Sequence, residues 1–154
     1  MAIETGEPVP DFTLPRDGGG FLGPADFRGR KLVLYFYPKD DTPGCTTEAL
    51  DFTARLAEFE AAGTALVAIS KDSVKSHDRF RDKHGLGLPL LSDESGEVVE
   101  RFGLWGEKSM YGKTFMGVER ATFLIDADGI VRRIWPKVKV AGHVDQVLAA
   151  AQAL

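Results

Sequence analysis

Apolar runs alternate with helical patterns through the middle of this 154-residue chain, and a hairpin pattern follows them. This order constrains the fold most, because parallel strands need long crossovers whereas a tight turn joins antiparallel ones. The predicted strands are Lys31–Tyr37, Thr64–Ser70, Leu88–Leu91, Arg120–Ile125 and Ile130–Trp135. The predicted helices are Thr42 to about Ala62, Asp72–His84, Ser95–Phe102 and His143–Leu154. The sequence therefore predicts an α/β protein with a central mixed β-sheet flanked by helices on both faces.

Glycine-rich segments mark the turns between these elements. Gly63 and Gly85 suit the C-terminal caps of two helices, and the run 126–129, Asp-Ala-Asp-Gly, predicts a hairpin turn. Residues 1–30 are rich in Gly and Pro, and we expect a short strand or hairpin around Phe12–Leu14. The run 18–23 spells Gly-x-Gly-x-x-Gly, but no long helix follows it, so a turn is predicted rather than a nucleotide site.

Composition excludes several classes of function. The length predicts a single domain over residues 1–154, and the net charge of −4 argues against a general nucleic-acid surface. No apolar stretch of about 18 residues suggests a membrane span, and the acidic N-terminal segment has no signal-peptide pattern. A single cysteine rules out an intramolecular disulfide and a cysteine cluster for metal, and it fits a reducing, cytoplasmic location.

That cysteine, Cys45, is predicted at the start of a helix. Thr42 suits the N-cap and Pro43 the first helical position, so Cys45 falls in the first turn. Free backbone N–H groups and the helix dipole stabilise an anion there, and the thiolate is the reactive form of cysteine. The alternative is a small buried hydrophobe, which is common for lone cysteines. An apolar stripe that includes Cys45 predicts a sulfur directed toward the sheet; its other members are Ala49, Phe52, Leu56 and Phe59.

These residues resemble the peroxiredoxin superfamily, and specifically its bacterioferritin comigratory protein or peroxiredoxin Q group. Pro38, Thr42 and Cys45 match Pro-x-x-x-Thr-x-x-Cys within the longer run Tyr37–Ala49. Further matches are the run 12–15, Phe-Thr-Leu-Pro, the segments 105–108 and 111–113, and the run 120–126 that begins with Arg-Ala-Thr-Phe. The resemblance covers about Pro8 to Ala150, and it implies a thioredoxin-like fold and thiol-dependent reduction of peroxides.

The resemblance also implies a role for each matching residue. Cys45 would be the peroxidatic cysteine, Thr42 the hydroxyl that binds the peroxide, and Arg120 the cation that stabilises thiolate and leaving oxygen. Pro38 would shield the site from water. Gly44 is expected in the substrate-binding turn, and Glu48 either serves the site or only favours the first helical turn electrostatically. No metal or organic cofactor is expected.

Position 50 departs from the pattern of the group, because many members carry a second cysteine there and this chain has Leu50. The sulfenic acid formed on Cys45 would then need an external thiol, such as thioredoxin, glutaredoxin or glutathione. The expected partners are therefore a peroxide and such a thiol, with no nucleic acid or membrane, and the protein is expected to be a monomer or weak homodimer.

Two other functions remain open from the sequence. A thiol–disulfide oxidoreductase would suit the fold, but Cys-x-x-Cys is absent. A redox sensor or holdase could use the same sulfenic acid without turnover. Other residues stay unassigned: the histidines are interpreted as solvated or structural, and an aromatic-rich loop, 105–116, either walls the pocket, contacts a partner or packs in the ordinary way.

Overall fold

A five-stranded mixed sheet forms the centre of the protein, whose computed structural model describes residues 3–154. Its strands are β3 (Lys31–Phe36), β4 (Thr64–Ser70), β5 (Leu90–Ser92), β8 (Ala121–Ile125) and β9 (Val131–Trp135). They lie in the order β5-β4-β3-β8-β9; β3, β4 and β5 pair in parallel, and β8 is antiparallel to both β3 and β9. The parallel pairs come from the alternating part of the sequence and the antiparallel pair from the predicted hairpin.

Two separate hairpins complete the strands. The first pairs β1 (Leu14–Pro15) with β2 (Phe21–Leu22), close to the predicted position, and the glycine run 18–20 forms its turn. The second pairs β6 (Trp105–Met110) with β7 (Lys113–Val118). The expectation of a loop over residues 105–116 was therefore wrong, because the segment forms regular antiparallel pairs around a turn at Tyr111 and Gly112.

Five α-helices and one short 3₁₀ helix, Pro24–Phe27, lie among the described residues. The α-helices are α1 (Pro43–Ala54), α2 (Leu56–Ala61), α3 (Val74–His84), α4 (Glu97–Arg101) and α5 (His143–Ala153). The single helix predicted from Thr42 to about Ala62 is thus two helices, which separate at Arg55. The side chain of Arg55 reaches Asp145 of α5 at 3.0 Å, and the break leaves both Phe52 and Phe59 fully buried against the sheet.

Helices cover both faces of the sheet, as predicted. On one face Val33 and Tyr35 of β3 pack with apolar residues of α1, α2, α3 and α5. On the other face Leu34 and Phe36 pack with α4 and with the segment that precedes β1. Because successive residues of a strand point to opposite faces, the uninterrupted apolar run of β3 is explained by its burial on both sides. No helix of the described part of the chain is long and apolar enough to cross a membrane.

Candidate active site

Cys45 lies in the first turn of α1, with its side chain directed into the protein. Thr42 is the N-cap, Pro43 is the first helical residue, and the residue Cys45 is only 2% exposed. Its sulfur belongs to the core on the α1 face of the sheet, together with Tyr35 and Phe52. The predicted direction of the side chain is therefore confirmed, and so is the burial that the alternative interpretation required.

Polar groups nevertheless surround this buried sulfur. Nη2 of Arg120 donates a hydrogen bond to Sγ of Cys45 at 3.4 Å. The first backbone bond of the helix joins the N–H of Thr46 to the carbonyl of Thr42, and within residues 3–154 the N–H groups of Gly44 and Cys45 have no acceptor. The guanidinium of Arg120 thus contacts the sulfur at a helix start where two backbone amides are free.

Arg120 is 75 positions from Cys45 in the sequence, and the fold brings it to the site. It directly precedes β8, which lies beside β3, so the sheet pairing carries its side chain to the start of α1. Burial alone would lower the pKa of Arg120, but the negative charges of Cys45 and Glu48 outweigh this effect and raise the pKa. The guanidinium is consequently a permanent cation inside the site.

Glu48 is the second acidic group that contacts Arg120. Its side chain is fully buried, and its Oε1 accepts a hydrogen bond from Nη1 of Arg120 at 2.7 Å. Its other oxygen, Oε2, has no partner in the described part of the chain. Burial raises the pKa of Glu48 to about 7 although the charge of Arg120 lowers it, so this carboxyl is partly protonated at neutral pH. The sequence placed Glu48 near the site but did not show that it holds the arginine.

Gly44 has a steric role that the sequence did not reveal. A Cβ atom built on this residue would lie 3.3 Å from Nη2 of Arg120, which is tighter than an ordinary van der Waals contact. The absence of a side chain at this position therefore lets the guanidinium approach the start of the helix. No positive φ explains the glycine, because the residue lies within α1.

Thr42 is oriented by the loop rather than by the helix. It occupies the N-cap position, as predicted, but its side chain makes no capping hydrogen bond. Its Oγ1 donates instead to the carbonyl of Lys39 at 2.8 Å. The hydroxyl proton is thereby engaged and the lone pairs of Oγ1 are left to accept a hydrogen bond. Pro38 is half-buried in the same loop, four residues before Thr42.

The hairpin β6–β7 approaches the site from one side. Lys108 of β6 donates to the carbonyl of Val118, and its pKa is lowered by burial and by the positive charge of Arg120. The large apolar residues farther along the hairpin are exposed, so ordinary core packing does not account for them; they are Met110, Tyr111, Phe115 and Met116. The only sequence signal for Lys108 was its place in the 105–108 motif.

Leu50 and Cys45 lie on different sides of α1. Leu50 is 41% exposed on the outer side of the helix, whereas Cys45 is buried on the inner side. The three histidines differ from one another: His77 and His143 are buried, and His84 pairs with Asp41 near the surface at 2.8 Å. None of them contacts Cys45 through a hydrogen bond among those that the described residues form.

A buried thiol at a helix start, on a mixed sheet and beside an arginine, defines a protein with thiol-based redox chemistry. The sequence profile of the AhpC/TSA family matches residues 5–134, and the chain therefore belongs to this family. The profile spans the helix start and Arg120 together.

Within this family, the chain is similar to peroxiredoxins of the Bcp and PrxQ group. A putative peroxiredoxin bcp of Coxiella burnetii is 49% identical over 96% of this chain and 98% of its own length. Peroxiredoxin Bcp of Bacillus subtilis is 44% identical over 96% of this chain and 94% of its own. Such relatives are thiol peroxidases, and so is this protein.

Solved structures agree with the fold. The bacterioferritin comigratory protein of Xanthomonas campestris, studied for its alkyl peroxide reduction activity, superposes with a TM-score of 0.87. It is 50% identical, over 92% of this chain and 90% of that one. A cysteine-to-serine mutant of PrxQ from Xylella fastidiosa gives a TM-score of 0.92 at 38% identity, over 98% of this chain and 96% of that one. The thioredoxin-like fold implied by the resemblance is confirmed.

Proposed function

We propose that Cys45 is the residue that this thiol peroxidase uses to reduce peroxides, with Arg120 and Thr42 as its catalytic partners. The observation that carries the proposal is the 3.4 Å contact between Nη2 of Arg120 and Sγ of Cys45 at the start of α1. The thiolate attacks one peroxide oxygen and the O–O bond breaks. The other oxygen leaves with its electron pair and takes up a proton, while Cys45 becomes a sulfenic acid.

The surrounding groups have complementary roles in this step. The guanidinium of Arg120 offsets the charge that moves from sulfur to the leaving oxygen. Thr42 accepts a hydrogen bond from the peroxide O–H, because its own proton is held by the carbonyl of Lys39. The free amides of Gly44 and Cys45 bind the nearer oxygen, Pro38 limits the access of water, and Glu48 holds the arginine in place.

The proposed substrates are hydrogen peroxide and organic hydroperoxides. Both carry the O–O–H group that Thr42 and Arg120 would bind, and neither requires a further recognition group for the reaction. The alkyl peroxide reduction described for the Xanthomonas campestris protein supports the organic substrates. No metal or organic cofactor takes part in the proposed chemistry, since sulfur and peroxide exchange the electrons directly.

Recycling is proposed to depend on an external thiol. The chain contains one cysteine, so the sulfenic acid has no partner within the molecule. A thiol of thioredoxin, glutaredoxin or glutathione would attack the sulfenic sulfur, release water and form a mixed disulfide, which a second thiol then reduces. These reductants place the protein in a reducing compartment such as the cytoplasm, where it would act as a monomer or weak homodimer.

Steady-state peroxide consumption tests the proposal. Dithiothreitol, thioredoxin, and glutaredoxin with glutathione are compared as electron donors for the wild-type protein and for Cys45→Ser. We expect many turnovers per wild-type molecule and none for Cys45→Ser, because serine is not ionised at neutral pH. A single stoichiometric oxidation would instead indicate a sensor, and reduction of insulin disulfides with glutathione would indicate an oxidoreductase. Normal peroxide consumption by the serine variant would exclude Cys45 as the catalytic residue.

A further inference from the structure

A second polar cluster is buried behind the loop that joins β3 to α1. At its centre His77, in the first part of α3, is 0% exposed. Its Nδ1 lies 2.7 Å from Oδ2 of Asp40, and its Nε2 lies 2.8 Å from the carbonyl oxygen of Leu91. The cluster is separate from the contacts of Cys45, but Asp40 lies in the loop between Pro38 and Thr42.

Each ring nitrogen of His77 faces an oxygen atom, which favours a proton on both nitrogens. A carbonyl oxygen and an ionised carboxylate can only accept hydrogen bonds. A neutral imidazole has one N–H and can donate only one. Burial alone would lower the pKa of His77, but the hydrogen bond and the charge of Asp40 outweigh it and raise the pKa. His77 and Asp40 therefore form a buried hydrogen-bonded pair, in which contact with Asp40 favours the charged form of the imidazole.

The hydrogen bonds of His77 argue against a metal site in this cluster. Ligand atoms of Asp40, Asp72 and His77 lie within 4.8 Å of one another, a spacing that metal sites share. A metal would need a lone pair on one nitrogen of His77, and both nitrogens already face oxygen acceptors. The third member, Asp72, accepts from Ser70 Oγ at 2.6 Å and from the backbone N–H of Asp40 at 2.9 Å. The cluster is satisfied by protons alone.

Asp40 connects His77 to the loop between Pro38 and Thr42. Its Oδ1 accepts from the hydroxyl of Tyr37 at 2.5 Å, and its Oδ2 also accepts from Ser76 Oγ at 2.8 Å. Asp40 is thus held through both carboxylate oxygens and through its backbone N–H. The next residue, Asp41, has a φ of 57°, a left-handed conformation that costs energy unless its surroundings maintain it. Asp40 is therefore held by hydrogen bonds, and the strained residue Asp41 connects it to Thr42.

We propose that His77 is a positioning residue for peroxide reduction: by holding Asp40 it fixes the Pro38–Thr42 loop, and with it the Thr42 hydroxyl. The proposal rests on the function proposed for Cys45 and Thr42. His77 does not touch the peroxide and acts only through the loop. The contact matters because Asp40 is almost fully buried, so its carboxyl group depends on the three side chains that contact it, Tyr37, Ser76 and His77.

The position of the loop affects two reactions of Cys45 differently. Peroxide attack needs Thr42 in place, whereas alkylation by iodoacetamide needs only an ionised, accessible sulfur. Arg120, which contacts the sulfur, is not among the hydrogen-bond partners of His77. A displaced loop should therefore slow oxidation by peroxide much more than alkylation, and a simple loss of stability would change neither rate in the folded molecules.

The test uses His77→Asn and Asp40→Asn in the otherwise intact chain. The first keeps a donor near Asp40 but loses the charge and the contact with Leu91; the second is isosteric and neutralises the carboxylate. Stopped-flow oxidation of Cys45 by hydrogen peroxide and alkylation by iodoacetamide are measured at pH 7 for each variant. Misplacement of a catalytic group by about 1 Å can cost on the order of 100-fold, so we expect peroxide oxidation to fall at least about tenfold and alkylation less than about threefold.

A matched control separates positioning from stability. Val131 is fully buried on the opposite face of the sheet, and Val131→Ala should lower the unfolding temperature while leaving both rates unchanged. Should His77→Asn fail to fold, Asp40→Asn decides the matter. Peroxide oxidation within about threefold of wild type in the folded variants would overturn the proposal. A failure of the proposed function is distinguishable, because the wild-type protein itself would then not consume peroxide.

Discussion

The guanidinium of Arg120 contacts two acidic groups at once, so its position is the most sensitive feature of the site at the scale of single residues. One nitrogen donates to the sulfur of Cys45 at 3.4 Å and the other to Glu48 at 2.7 Å. A displacement of the guanidinium therefore alters both contacts. Gly44 adds a steric limit, because its missing side chain leaves the space that Nη2 needs.

We therefore expect Gly44→Ala to slow peroxide reduction without unfolding the protein. The new Cβ would lie 3.3 Å from Nη2 of Arg120, so the guanidinium must shift by a few tenths of an ångström. Because a misplacement of about 1 Å can cost on the order of 100-fold, the smaller shift should lower kcat/KM for peroxide roughly threefold to tenfold. Alanine also suits a helix better than glycine, so the unfolding temperature should not fall.

Gly106→Ala is the matched control for this substitution. A Cβ atom on Gly106 meets nothing within 4 Å, and the residue has no positive φ. Its kcat/KM should equal that of the wild type. Equal kcat/KM values for the Gly44 variant and the wild type would show that the arginine does not need this space.

Residue types at fixed spacing made half of this site predictable. Thr42 and Cys45 follow from the local signals of a helix start, and Arg120 follows from the family motif. The contact between Glu48 and Arg120 could not be derived, because it joins residues that are 72 positions apart and depends on the pairing of β3 with β8. The pair of Asp40 and His77 likewise depends on how α3 packs behind the loop.

At the scale of secondary-structure elements, the antiparallel pair β8–β9 carries Arg120 into the site. The turn between these strands contains Gly129, whose φ of 83° lies in the left-handed region. A Cβ atom at this position would also lie 2.2 Å from the guanidinium of Arg28, far inside contact distance. The glycine is thus required by its backbone conformation, whereas the exposed end of Arg28 can move aside.

Gly129→Ala should consequently destabilise the protein. Strained backbone at a non-glycine residue costs roughly 1–3 kcal/mol, and Arg28 must also move. Urea unfolding should therefore show a clear fall in the free energy of unfolding, while kcat/KM for peroxide in the folded protein stays close to that of the wild type. Gly106→Ala again serves as the control, and equal stability of the two variants would contradict the role assigned to the turn.

Local sequence signals predicted some boundaries of helices and strands and missed others. The strands Thr64–Ser70 and Lys31–Phe36 were placed within one residue, because their apolar runs are bounded by turn residues. The break at Arg55 was missed, because no glycine or proline marks it and the contact of Arg55 with Asp145 is 90 positions distant. The hairpin β6–β7 was missed because its polar and apolar residues do not alternate regularly.

At the scale of the whole molecule, buried titratable groups on the α1 side of the sheet make stability depend on pH in opposite directions. Burial raises the pKa of Glu48 from 4.5 to about 7, so its stabilising contribution is complete below pH 4.5 and is lost as the pH rises through 7. Burial and the charge of Arg120 lower the pKa of His143 from 6.5 to about 4. Its contribution is complete above pH 6.5 and is lost as the pH falls through 4.

These opposite signs predict how two neutral variants change the pH profile of the free energy of unfolding. In Glu48→Gln the loss of stability between pH 4.5 and 7 should become shallower, because the buried group no longer ionises. A decline should persist above pH 6.5, since the raised pKa of His77 also makes its contribution disappear as the pH rises. In His143→Gln the loss on the acid side, between pH 6.5 and 4, should become shallower instead.

Urea unfolding at intervals from about pH 4 to about pH 8 measures these profiles, and Glu60→Gln controls for the loss of a carboxyl group. Glu60 is exposed, so its substitution should shift the curve without changing its shape. The difference between Glu48→Gln and the wild type should grow as the pH rises through 7 and level off only at higher pH, where the wild-type carboxyl is fully ionised in its buried position. A Glu48→Gln curve that runs parallel to the wild type over the whole range would show that this carboxyl does not exchange its proton on unfolding in the assigned direction. The charge of Arg120 would then balance the effect of burial, and Glu48 would keep its ordinary pKa in the folded protein.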